Sequence, residues 1–159
     1  MAAKISDCGQ YRYLLERSPE SLFCEGAPAV FLMLNPSIAD ATIDDPTIRR
    51  CRRFARDWGQ NGLVVANLYA WRATDPSELA RVIDPVGPEN NQVLRTLAED
   101  HKDIVCAWGA NGSPERVEEV VALLTGSGAR LWCLGTTKAG APRHPLYVKA
   151  DQPLVRWPE

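Results

Sequence analysis

The chain has 159 residues, enough for one hydrophobic core, and its 45% hydrophobic content is that of an ordinary globule. A formal net charge of −2 gives no global pull toward nucleic acid or an anionic membrane, since duplex binders usually carry a basic excess. No apolar stretch reaches the roughly 18 residues a bilayer demands, and the start, MAAKISDCGQYRY, lacks the apolar segment of a secretory signal; a cytoplasmic location is expected.

Gln10 to Arg17 alternate partially ahead of a Ser-Pro turn, which predicts a short N-terminal strand or hairpin arm. Ala29 to Leu34 (AVFLML) is continuously apolar and predicts a strand buried on both faces. A polar loop leads to Asp45-Pro46, a helix cap followed by proline at the first helical position. In that helix Ile48, Cys51, Ala55 and Trp58 form an apolar stripe, and Arg49, Arg50, Arg52, Arg53 and Arg56 take the remaining circumference. Leu63 to Leu68 is the second strand. Asp75-Pro76 starts a short helix, and Gly87-Pro88 starts another with Val93, Leu94 and Leu97 inward. Ile104 to Trp108 is the third strand. Ser113-Pro114-Glu115 caps a helix striped by Val117, Val120, Val121 and Leu124, with Gly126 placed for a left-handed C-terminal turn. Arg130 to Leu134 is the fourth strand, and a long loop through Gly140, Pro142 and Pro145 follows it.

Apolar strands alternating with helices predict a single domain over residues 1–159. Its form is a three-layer α/β/α sandwich around a four-stranded, mainly parallel sheet. Ligands of such sheets bind outside the carboxyl ends of the strands. Asn35, Asn67 and His144, each near the end of an apolar run or in the loop beyond it, are therefore expected to converge on one cleft.

Each has two readings. Asn35, before Pro36 and Ser37, either holds a water or ligand edge or closes an Asx turn. Asn67 sits in a run otherwise suited to burial, where an unpaired amide costs roughly 1–3 kcal/mol, so it meets neighbouring backbone or reads a ligand. His144, between Arg143 and Pro145, either donates to developing negative charge or is a surface loop residue. Asp45 reads as a cap, while Asp40 or Asp44 could polarise a water. The arginine-rich helix reads as a solvated face or a phosphate contact, and Arg143 with Lys138 is better placed for phosphate. The five cysteines lack metal-ligand spacing, and no phosphate-cradling glycine motif occurs; neither metal nor cofactor is expected.

LMLNPS after the first strand, VVANLYAWRATDP at the second and RHPL near the C-terminus resemble three motifs of the uracil-DNA glycosylase superfamily, in its mismatch-specific branch. Over nearly its full length the chain also resembles a bacterial family of unknown function, DUF1643, through LNPS, DDPT and PRHPL. The first resemblance implies excision of a nucleobase from DNA or a nucleotide. Asn35 would position water and Asn67 would read the base. His144 would stabilise the departing base as an anion. Pro36, Ser37 and Arg143 would complete the binding site, and Tyr69 or Trp71 would supply the stacking ring. Leu146 and Tyr147 would fill the space a flipped base vacates. The alternative is a non-catalytic nucleotide- or nucleic-acid-binding module on the same fold, and a third is an unrelated small-molecule enzyme sharing only the layers.

Overall fold

The computed structural model describes residues 2–19, 25–37, 39 and 42–158. From the N-terminus, β1 (Ala2–Ile5) and β2 (Arg12–Arg17) form an antiparallel hairpin. Then follow β3 (Ala29–Met33), α1 (Pro46–Asp57) and β4 (Leu63–Asn67). Next come α2 (Asn90–Asp100), β5 (Asp103–Cys106), α3 (Pro114–Gly126), β6 (Arg130–Cys133) and the two-residue β7 (Val155–Arg156). Short 3-10 turns occupy Pro76–Arg81, Gly109–Asn111 and Pro145–Tyr147.

The four apolar runs pair in parallel in the order β4-β3-β5-β6. The sheet, however, has seven strands among the described residues rather than the expected four, in the order β1-β2-β4-β3-β5-β6-β7. The reason is the open edge. A bare parallel sheet would present the unpaired N–H and C=O groups of β4 and β6 to solvent. β2 runs antiparallel along β4, and β7 runs antiparallel along β6.

Strand pleating sorts the core. Val30, Leu32, Val64 and Ala66 face one way, onto Leu94 and Leu97 of α2 and Val120 and Leu124 of α3. Phe31, Met33, Leu63 and Val65 face the other, onto Ile48, Cys51, Phe54 and Ala55 of α1. Asn67 shares the parity of Leu63 and Val65, so the pleat turns it toward the α1 side, at the carboxyl edge of the sheet.

Proline and an acidic cap open α1 as the sequence reads: Asp45 accepts from the Ile48 N–H at 2.9 Å. At the far end of α3 the expectation fails. Gly126 is still helical, the Ser127 N–H closes the last turn, and the chain reverses at Gly128, at φ +93°. The helix outlasts its apolar stripe by two residues, and the carbonyls of Leu123 and Leu124 find a donor in Ser127.

Gly62, which turns the chain into β4, has φ +93°, and a Cβ there would lie 2.5 Å from the carbonyl oxygen of Arg17. Gly62→Ala should cost about 2 kcal/mol or more in a denaturant titration. A variant as stable as the wild type would show that the β2–β4 junction is not fixed.

Candidate functional site

The carboxyl ends of β3, β4 and β5, the N-terminus of α1 and the loop after β6 enclose a cavity of about 590 Å³. That volume suits a nucleoside-sized ligand. Asn35, Ser37, Asn67, Arg143 and His144 all line it, although they are scattered over more than a hundred residues of sequence. Sequence reasoning did not place Asp45 and Arg12 there, yet both line the same wall.

Asn67 is 1% exposed, and among the described residues neither its Nδ2 nor its Oδ1 meets a hydrogen-bonding partner. Two unmet polar atoms at the dry end of a strand cost on the order of 1–3 kcal/mol each. A donor and an acceptor side by side form the pattern that pairs with the edge of a nucleobase or another cyclic amide.

His144 caps the 3-10 turn Pro145–Tyr147 by accepting the Leu146 N–H on Nδ1 at 3.2 Å. That bond assigns the proton of the neutral ring to Nε2, which is left to donate. Burial holds the imidazole below its ordinary pKa, and the nearby Asp45 charge opposes this without overcoming it. The ring is neutral at physiological pH. Its loop is tied down by Arg50 of α1, which donates to the carbonyls of Pro145 and Val148.

Asp45 gives one oxygen to the Ile48 N–H, which leaves the other for the cavity it lines. Asn35 donates from Nδ2 to the carbonyls of Ala73, at 2.8 Å, and Pro36, at 3.0 Å, and so joins the loops after β3 and β4. Among the described residues its Oδ1 accepts nothing. Arg143 donates to the Thr136 carbonyl at 2.9 Å, which fixes its stem at the rim.

Other candidates stand elsewhere. Tyr69 donates to Ser113 Oγ and accepts from the Ser113 N–H, both at 3.1 Å, so its hydroxyl organises the start of α3. Trp71 packs edge-on against Tyr11, with ring centroids 5.5 Å apart. Pro36 is buried and contributes its carbonyl to the Ala73 N–H. None of the three lines the cavity; Trp108 and Tyr147 are its aromatic walls. Asp44 is occupied by Arg17 at 2.6 Å and Arg52 at 2.9 Å, whose bonds outweigh partial burial and hold its carboxyl below the usual range. Asp40 lies outside the described residues. The remaining α1 arginines are also engaged: Arg49 donates to the Asp44 carbonyl, and Arg53 and Arg56 meet Asp57.

Among the described residues no cluster of histidine, cysteine and carboxylate side chains is arranged to hold a metal ion, and no helix is long and apolar enough to cross a membrane. A protein family described as being of unknown function, DUF1643, matches residues 12–146. The chain belongs to that family. Its matched span runs from Arg12 through Leu146 and so takes in every wall of the cavity except Tyr147. Neither the curated proteins nor the solved structures give a significant match to this DUF1643 chain.

The lowered pKa of His144 has a testable sign. As pH falls through about 6.5, the unfolded chain takes up the histidine proton before the folded one does. Stability therefore declines from there down to the folded value and is unaffected by this group at higher pH. His144→Gln should show a smaller loss over that acidic window when denaturant midpoints are compared. Equal pH slopes in the two proteins would mean that His144 is not buried in its neutral form.

Proposed function

We propose that the cavity receives a nucleobase and that the protein hydrolyses the N-glycosidic bond joining it to its sugar, in DNA or in a nucleotide. The observation that carries this reading is Asn67, a buried carboxamide in the cavity lining whose donor and acceptor both lack a partner among the described residues. The motif order, LNPS after β3, the Asn67 segment at β4 and RHPL after β6, supports reading the sandwich as uracil-DNA glycosylase-like.

In the proposed reaction the bond between the sugar C1′ and the base nitrogen breaks, and its electron pair leaves on the base. Positive charge grows on the sugar and negative charge on the base. The Nε2–H of neutral His144 donates to the base oxygen that takes up that charge. Asp45, which lines the cavity and has one oxygen not held by the Ile48 N–H, stabilises the cationic sugar and accepts a proton from the attacking water, whose oxygen bonds to C1′. The open Oδ1 of Asn35 holds that water. The proton on Asp45 then passes to the released base, which balances the charge.

The test is release of free base from duplex and single-stranded oligonucleotides and from nucleotides carrying uracil, hypoxanthine or alkylated bases. Asp45→Asn keeps the helix cap, because asparagine caps as well as aspartate, but it removes the carboxylate. It should lower turnover about 10²-fold or more with the Tm nearly unchanged. His144→Gln should lose a similar factor. Asn67→Ala should instead weaken base binding about tenfold or more. No base released from any substrate by pure protein would end the hydrolytic reading. Tight base binding without release would favour a non-catalytic nucleotide-binding module.

A further inference from the structure

The last residues of β4 leave the regular pleat. In a straight strand successive N–H groups point to opposite sides, and so do successive carbonyls. Here the N–H groups of both Leu68 and Tyr69 turn to the first strand of the parallel pair, donating to Met33 and Leu34 at 2.9 and 3.0 Å. The carbonyls of Asn67 and Leu68 both meet side chains of α2 and α3. A single side chain meets both: Asn90, 0% exposed at the start of α2, donates from Nδ2 to the Asn67 carbonyl at 3.0 Å and the Leu68 carbonyl at 3.1 Å. Arg116 of α3, 4% exposed, adds a third donor, from Nε to the Leu68 carbonyl at 2.8 Å. Its Nη1 donates to Asn91 Oδ1 at 2.7 Å, which braces the guanidinium against α2.

We propose that Asn90 and Arg116 are positioning residues that clamp the bend at Asn67–Leu68 and so fix the orientation of the Asn67 carboxamide in the cavity lining. The proposal rests on the reading of Asn67 as the group that contacts the base. Its physical basis is twofold. Buried carbonyls that leave a ladder must be paired, and an extra strand on that side would replace the bend with straight chain. Side-chain donors from two helices satisfy them while keeping the backbone turned, and the turned backbone fixes the direction of the Asn67 Cα–Cβ bond. Burying an arginine is also not the economical way to fill an apolar layer, since well-packed apolar residues are often equally stable there. The guanidinium supplies a directed bond that leucine or methionine lacks.

The test reads Asn67 directly. Its side-chain NH₂ signals in ¹⁵N NMR spectra are assigned by their loss in Asn67→Ala. They should form one sharp pair in the wild type and should shift or broaden in Asn90→Ala and in Arg116→Lys, which keeps the charge but loses the Nε donor. Leu94→Ala, a fully buried change in the same helix, controls for lost stability and should leave the pair in place. Where Asn90→Ala is too unstable to fold, Arg116→Lys alone decides. An Asn67 pair unmoved in the folded variants overturns the proposal. Binding of uracil and hypoxanthine, followed calorimetrically, adds the energetic half. Asn90→Ala should weaken it about tenfold in the wild-type background and not at all in the Asn67→Ala background. A wild type that binds neither base defeats the functional reading, while the NMR signals still judge the clamp by themselves.

Discussion

The site is organised around a carboxamide that is almost fully buried and whose polar atoms are unmatched among the described residues. Two layers of helix cover the parallel strands, so the sheet is dry up to its carboxyl edge. At that edge the pleat carries Asn67 to the α1 side, level with Met33 of the neighbouring strand. An aliphatic residue would fit the run and add to the core. Asparagine lowers stability in isolation and is sustained by the apolar burial beneath it. Under the proposed reading, a ligand presenting the complementary edge would supply those bonds, and one lacking it would leave them unmade.

The groups around Asn67 share a pattern. Asp45 has one oxygen on the Ile48 N–H, His144 has Nδ1 on the Leu146 N–H, and Asn35 has its nitrogen on two carbonyls. Each side chain is fixed by backbone groups through one atom and keeps another for the cavity. Such groups need little reorganisation when charge develops, because their orientation is already set by folding. The His144 loop is equally constrained, with Arg50 bridging it to α1. Arginines that look like a phosphate-binding face in the sequence thus serve mostly to tie loops and carboxylates to the helix.

The sequence was legible where burial is continuous. The four parallel strands announce themselves because both faces are apolar, and the caps at Asp45 and Ser113 follow from local backbone chemistry. β1 and β7 carry little signal: β1 alternates between exposed and half-buried residues, and β7 is two residues long, defined only by its pairing with β6. Within the site, Asn35, Asn67, Arg143 and His144 could be brought together by the rule that ligands gather at strand ends. The resemblance offers Tyr69 or Trp71 as the stacking ring, but neither lines the cavity: Tyr69 is buried against Ser113 and Trp71 packs on Tyr11. Asp45 was legible as a cap, and that obscured its second oxygen. Asn90 and Arg116 gave no local sign at all, since they act on carbonyls 23 and 48 residues earlier.

The distribution of charge bears on how a substrate arrives. The chain is weakly acidic, and the arginines of α1 are engaged with carboxylates or carbonyls. Long-range steering of a polyanion is therefore weak, and recognition falls to contacts made at short range. At the mouth of the cavity Tyr147 is 78% exposed and Leu146 43% exposed, directly beside the histidine. Two apolar side chains held in water at the rim of a pocket suit a flat ring that must slide past them or be replaced by them in a stack. Their position makes the rim, more than the net charge, what a ligand entering the cavity would meet first.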